Sequence, residues 1–417
     1  MFVNHRLLMM IAGWLGAWCL VLAVNAEQPR VAFATSVTGT GDLSTWADAN
    51  EQTGLAAGDA ICQALADAGN LANPEGFVAW LSDEDDDAFC RVHGLTGKRS
   101  DNCGLSELPP PVGPWVRTDG FPFAQTIDRL LHPSYEILSA LRFDELGSEI
   151  VSGTITIQTG TDAVTGGEDA PGSFSGHCNN WTDGTSAFGV TLGFTDRTHR
   201  PWSSGGGSSS CAGFRRIACL EASPGPELPV LDSPGRTVFV TTTSGRGDLA
   251  SWSLADEGLT GIAAGDSICR NEAHAAGLDD PDSFRAWLSD DSVDAIDRFE
   301  NEGPWVRLDG ARIAASKAEL TSGSLFVPNN VSAAGEYEWR TVHTGTNADG
   351  SSSGSDCINW TSSDSEVLGN TGTTNLQLSG WTGTGDRPCN GLRNLYCFSD
   401  PEFGEDIFSD RFETLLD

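Results

Sequence analysis

The segment "TGLAAGDAIC" at residues 53–62 returns as "TGIAAGDSIC" at 260–269, and "FVAWLSD" (77–83) returns as "FRAWLSD" (284–290), both displaced by 207 positions. Farther along, "GPWVRTDG" (113–120) pairs with "GPWVRLDG" (303–310), "CNNWT" (178–182) with "CINWT" (357–361), and "CAGFRRIAC" (211–219) with "CNGLRNLYC" (389–397). A period this long describes a duplicated domain rather than a solenoid of short repeats. The displacement drops to 190 at the third pair, which places an insertion at about residues 84–112 of the first copy, carrying its own Cys90 and Cys103. The expected layout is domain one at 30–222, a Pro/Gly linker "SPGPELPVLDSPGR" at 223–236, domain two at 237–399, and an acidic tail at 400–417.

Residues 1–26 carry Arg6, an apolar run from Leu7 to Val24 and a small-residue end at Ala26, the pattern of a secretory signal peptide cleaved near Ala26. Removing it leaves 23 basic against 58 acidic residues, a formal charge of −35. Such a surface repels polyanions, so nucleic acid, heparin-like chains and anionic lipid surfaces are excluded as expected partners, and no later apolar run is long enough for membrane insertion. Ten cysteines remain, an even number suited to disulfides in an oxidising compartment.

Leu55, Ile61, Cys62 and Leu65 keep helical spacing, so each copy is expected to open with a short amphipathic helix bearing its first cysteine. A second helix is expected from Asn73-Pro74 and Asp280-Pro281, with Phe77 and Trp80, or Phe284 and Trp287, on one face. After "GPWVR" come short β-like runs broken by Gly, Ser and Asn. The fold class is therefore α+β. Four cysteines are shared by each copy, which allows three pairings, while the extra pair inside the insertion, Cys90 and Cys103, bonds to itself.

A cysteine-bearing first helix, an "AWLSD" segment, then cysteine, tryptophan, cysteine and a last cysteine in "LYCF" resemble the C-type lectin-like fold. The closer likeness is to its endostatin-like branch, with the bacterial lectin-like domains of unknown function and the endostatin-like surface adhesins of leptospires. The resemblance implies two tandem domains, each with two N-terminal helices and a small, irregular, loop-rich antiparallel sheet. It also implies nested disulfides: Cys62 with Cys219, Cys178 with Cys211, Cys269 with Cys397, and Cys357 with Cys389. Calcium-dependent sugar-binding members carry Glu-Pro-Asn and Trp-Asn-Asp; here Gly345-Thr346-Asn347 and Trp381-Thr382-Gly383 stand instead, with Trp202-Ser203-Ser204 in copy one. Their metal-bridged mechanism is not carried over, nor is endostatin's basic surface.

Candidate sites follow from the residues. "TNADGSSSGSD" (346–356) offers Asn347, Asp349 and Asp356 as the better-shaped calcium ligands, calcium being the one cofactor candidate. The run "SDEDDDAFC" (82–90) is denser in charge but reads as a solvated helix exit. Ten of the eleven tryptophans after the leader form matched pairs and read as core, whereas Trp339 has no counterpart and, with Tyr337 and Asn347, is the candidate ligand-binding set. Arg246-Gly247-Asp248 aligns with Thr40-Gly41-Asp42, so it reads as a turn in which glycine supplies positive φ and aspartate caps. The six remaining histidines read as scattered surface residues, and Asp119, recurring as Asp309, as an ion-pair partner of Arg117. The expected function is an exported, non-enzymatic binding or adhesion protein for a glycan or a surface or extracellular protein. A structural envelope or matrix spacer is the alternative, and a secreted carboxylate-based hydrolase the third.

Overall fold

The computed structural model describes residues 30–131, 137–150, 155–168, 176–205, 207–222 and 233–401. The leader, His132, linker residues 223–232 and the tail from 402 lie outside the described residues.

The first repeat contains β1 (Arg30–Ala34), β2 (Phe77–Ala79), β3 (Trp115–Arg117), β4 (Pro122–Ala124), β5 (Thr156–Gln158), β6 (Gly189–Phe194), β7 (Ser208–Ser210) and β8 (Ala218–Glu221). The second contains β9 (Arg236–Val240), β10 (Phe284–Ala286), β11 (Trp305–Arg307), β12 (Arg312–Ala314), β13 (Thr341–His343), β14 (Leu368–Thr373), β15 (Gly385–Pro388) and β16 (Tyr396–Ser399). Each repeat builds a five-stranded sheet, in order β2-β8-β1-β3-β4 or β10-β16-β9-β11-β12, and a three-stranded sheet, β5-β6-β7 or β13-β14-β15. The larger sheets are mixed, because β1 runs parallel to β3 and β9 parallel to β11. This corrects the all-antiparallel expectation: more than 60 residues separate the parallel partners, ample length for a crossover connection.

The first helix forms over Gly54–Ala68, and its counterpart over Gly261–Ala276. Ala57, Ile61, Cys62, Leu65 and Ala66 are buried at helical spacing against the larger sheet. A Cβ at Gly58 would stand 2.9 Å from Leu81 Cδ1 and 3.1 Å from Ala79 Cβ, so glycine lets the helix lie close on the strand. Asp59 accepts the Ala79 N–H at 2.9 Å and pairs with Arg91, and Asp266 repeats this on Ala286 at 2.9 Å with Arg298.

The expected second helix is absent from both repeats. Pro74–Gly76 and Pro281–Ser283 form single 3-10 turns, neither capped by a side chain, and strands β2 and β10 follow at once. The strand wins because Phe77–Ala79 pairs antiparallel with β8. Phe77 and Trp80 then enter different core clusters, Phe77 against the helix and Trp80 against Trp115 and Trp202, as do Phe284 and Trp287. Two-residue periodicity, not helical spacing, sets those faces.

The disulfides are Cys62–Cys219, Cys90–Cys103, Cys178–Cys211, Cys269–Cys397 and Cys357–Cys389. The outer pair fastens each helix to the chain-terminal strand of its sheet across 157 and 128 residues. Ten tryptophans are buried, eight of them at 1% exposure or less. Replacing both Cys62 and Cys219 by alanine is expected to lower unfolding free energy by about 4–5 kcal/mol, read by denaturant titration of the oxidised protein. A loss below about 1 kcal/mol would show that the long loop is restrained by other means.

Candidate functional site

Cys178–Trp181 and Cys357–Trp360 each make one left-handed helical turn without glycine. The φ values are 50°, 53°, 55° and 62° in the first and 55°, 56°, 52° and 60° in the second. For L-residues this costs roughly 1–2 kcal/mol each, so surrounding contacts must impose it. The inner disulfide holds the first residue, and the indole of Trp181 or Trp360 donates to the carbonyl of Ser82 or Ser289 at 3.0 and 2.8 Å. The side chain before the turn, His177 or Asp356, accepts the Asn180 or Asn359 N–H at 2.9 Å. Asn180 and Asn359 also accept the N–H of Glu84 and Asp291 at 3.3 and 3.1 Å. The Asn-Trp-Thr triplets thus serve as structural turns.

The Arg-Gly-Asp stretch packs on that disulfide. A Cβ at Gly247 would stand 2.4 Å from Cys357 Sγ, and one at Gly41 2.2 Å from Cys178 Sγ. Neither glycine has positive φ among the described backbone angles, so close approach rather than handedness requires glycine, correcting the turn expectation. Asp42 does cap Ser44 N–H at 3.2 Å, whereas Asp248 makes no side-chain cap. The Arg246 carbonyl is occupied by the Trp252 indole N–H at 2.8 Å.

The candidate residues do not converge. Tyr337 donates to Asp309 Oδ2 at 2.7 Å, beside the ion pair that Asp309 makes with the buried Arg307, so it braces the larger sheet. Trp339 is 49% exposed and its ring lies 5.2 Å from that of His199 of the first repeat. Asn347 closes its own loop, donating from Nδ2 to Ser352 O at 2.9 Å. Asp349 accepts the Ser351 hydroxyl at 2.6 Å and its N–H at 3.1 Å, which hold its carboxyl below the usual range. Asp356 is spent on the left-handed turn, its carboxyl raised chiefly by burial. Among the described residues no group of three His, Cys, Asp or Glu side chains is placed to hold a metal ion.

Two further expectations are corrected. The acidic run is not a solvated exit: Asp83 and Asp87 are buried and bind loop amides, Asp83 those of Asp85 and Asp86 at 2.9 Å, Asp87 those of Arg99 and Glu168 at 2.8 and 3.1 Å. His177, His199 and His343 are also buried, while His274 is exposed. In the chain the three looked like isolated polar residues. His343 sits between Trp252 and Trp360, at the position Gln158 takes in the first repeat, a pairing that hinted at an interior polar site.

The two repeats meet along a defined contact. Arg197 and Leu376, each five residues before the matched Trp202 and Trp381, form an antiparallel bridge to one another. Equivalent residues pairing with each other are what a two-fold relation produces at its axis. Around them Gln377 Oε1 accepts the Ala140 N–H at 2.6 Å, Asn375 Nδ2 lies 2.7 Å from His199 Nδ1, and Phe121 stacks on Phe326 at 5.0 Å. Trp339 and His199 therefore belong to an interface inside the chain, a role that neither repeat discloses when read alone. The chain matches no family model and no curated protein.

Two outcomes are expected. Gly247→Ala should lower stability and hinder Cys357–Cys389 formation, measured by thermal melting and thiol titration, while Asp248→Ala leaves both unchanged. Burial, followed by Arg393 for His343 and Arg197 for His199, pushes both imidazoles from 6.5 down to about 3. The unfolded chain therefore takes up protons first, so stability is complete above pH 6.5 and falls as pH drops toward about 3. His343→Gln should flatten that dependence by about 1.4 kcal/mol per pH unit, read from denaturation curves between pH 4 and 6; an unchanged slope would refute the assignment.

Proposed function

We propose that the chain is an exported, non-enzymatic binding protein, two tandem C-type lectin-like domains that recognise a glycan or an extracellular protein. The observation that carries this reading is a polar loop that exposes Asn347, Asp349 and Gly354 while its backbone is held in one shape. Between Thr346 and Asp356, Asn347 N–H donates to Ser351 O at 2.8 Å, Ser353 N–H to Gly345 O at 2.8 Å, and Ser352 N–H to Asp294 Oδ1 at 2.7 Å. Ordering a loop in advance removes part of the entropic cost of association. The left-handed turn and the inner disulfide hold the base of this loop, so recognition would meet a fixed surface.

Export is supported by five disulfides, and among the described residues no helix is long and apolar enough to cross a membrane. In the Arg117–Asp119 and Arg307–Asp309 pairs, bidentate at 2.5–3.0 Å, a buried arginine holds each carboxylate at the end of a strand of the larger sheet, which favours binding over acid–base chemistry at these recurring carboxylates.

The test is binding of the leaderless protein to an array of glycans and extracellular proteins, with calcium and with a chelator. Saturable binding is expected, weakened at least tenfold by the double change Asn347→Ala and Asp349→Ala if the loop is the contact. Loss with the chelator would assign a metal to the 346–356 loop, and silence under both conditions would favour a spacer role.

A further inference from the structure

The insertion of the first repeat ends in "LSELPPPV" at residues 105–112, a stretch that the second repeat lacks. Proline fixes its own φ and pushes the residue before it toward extended backbone. Leu108, Pro109, Pro110 and Pro111 therefore share one regular conformation, the left-handed polyproline helix. The peptide bonds to these three prolines are trans. Such a helix has about three residues per turn, and burial here follows the same period. Pro109 and Val112 are half-buried, whereas Leu108, Pro110 and Pro111 are exposed. Val112 packs against the core of the first repeat, and its carbonyl accepts the Ile127 N–H at 2.7 Å. One edge of this ridge thus lies on the domain and the other two stand in water.

Both ends of the ridge are fixed. Cys103 is bonded to Cys90, and the Leu105 N–H donates to Asn102 O at 3.1 Å. At the far end the chain enters β3 at Trp115, which is fully buried. Among the described residues the carbonyls of Leu108, Pro109 and Pro111 accept no backbone hydrogen bond. Leu105 and Leu108 stay 45% and 47% exposed, although Phe89 and Val92 of the same insertion are buried.

We infer that this ridge is a docking peptide for a protein partner, a domain whose groove is lined by aromatic side chains. The contact lies in the first repeat and is independent of the 346–356 loop, so it goes beyond the reading above. The occupant follows from the chemistry of the ridge. Pyrrolidine rings on a polyproline helix present flat apolar faces to Tyr and Trp rings, and free carbonyls accept from phenol and indole donors. Three successive prolines offer no N–H to a sheet edge or a helix, which leaves the polyproline mode of recognition. The ridge is already held in the form that such a groove takes, so docking loses little conformational freedom. The exposed Glu107 assigns a basic residue of the partner to the Leu108 end, and added salt should weaken the contact.

The experiment is titration of the leaderless full chain at low salt against three probes with aromatic-lined grooves: an EVH1 domain, an SH3 domain and a WW domain. At least one is expected to bind with a Kd of about 100 μM or tighter, and a synthetic peptide of residues 104–112 should compete for it. The double change Leu108→Ala and Pro111→Ala, on one exposed edge, should weaken binding at least tenfold with the melting temperature held within a few degrees. The Asn347→Ala, Asp349→Ala protein should bind these domains as the parent does. No binding to any of the three overturns the ridge inference and leaves the array to decide the broader reading. Binding that the peptide does not compete for, or that survives the double change, lies elsewhere on the chain and overturns it as well. Binding through the ridge with a silent array keeps this inference and removes the loop reading.

Discussion

Each repeat depends on one constraint: its last strand lies inside its sheet and not at the edge, between the first strand and the strand that follows the helix. β8 pairs with both β1 and β2, and Cys219 on β8 is bonded to Cys62 on the helix. The beginning, the helix and the end of the repeat are thus tied at one place. Segments of long, polar, turn-rich sequence can then extend from it without a large core of their own. The aspartate of each "AGD" segment adds a second fastening between helix and strand, meeting an arginine at the equivalent position of each repeat, Arg91 or Arg298, 207 residues apart.

Strain is placed where these fastenings can carry it. A left-handed turn of four non-glycine residues would not persist in an isolated peptide. Here the inner disulfide, a buried indole hydrogen bond and a side-chain cap act on the same four residues, and Gly41 or Gly247 lets the neighbouring loop press against the sulfur. The result holds the preceding loop from its base.

Much of this was legible in the chain. The duplicated segments marked the two helices, the matched tryptophans marked the interior, and "WVR-x-D" marked the Arg117–Asp119 pair. The errors have physical sources. Asn-Pro and Asp-Pro are good helix starts, but in "NPEGF" the next residues find a sheet partner, and tertiary pairing overrides the local signal. The acidic run looked solvated because its buried amide partners, Arg99 and Glu168, lie 12 and 81 residues from Asp87. His199 and Trp339 were unreadable as a pair, since their meeting depends on how the two repeats associate, and comparing the repeats with each other removes that information.

The bridge between Arg197 and Leu376 has a consequence for how such a chain grows. A surface that matches its own equivalent is consumed when two units join, leaving no acceptor for a third. Duplication therefore gives a closed pair and not the first step of a filament. A chain of this construction would gain reach by adding unlike segments at its ends, and a third copy of the repeat would arrive with its contact face bare.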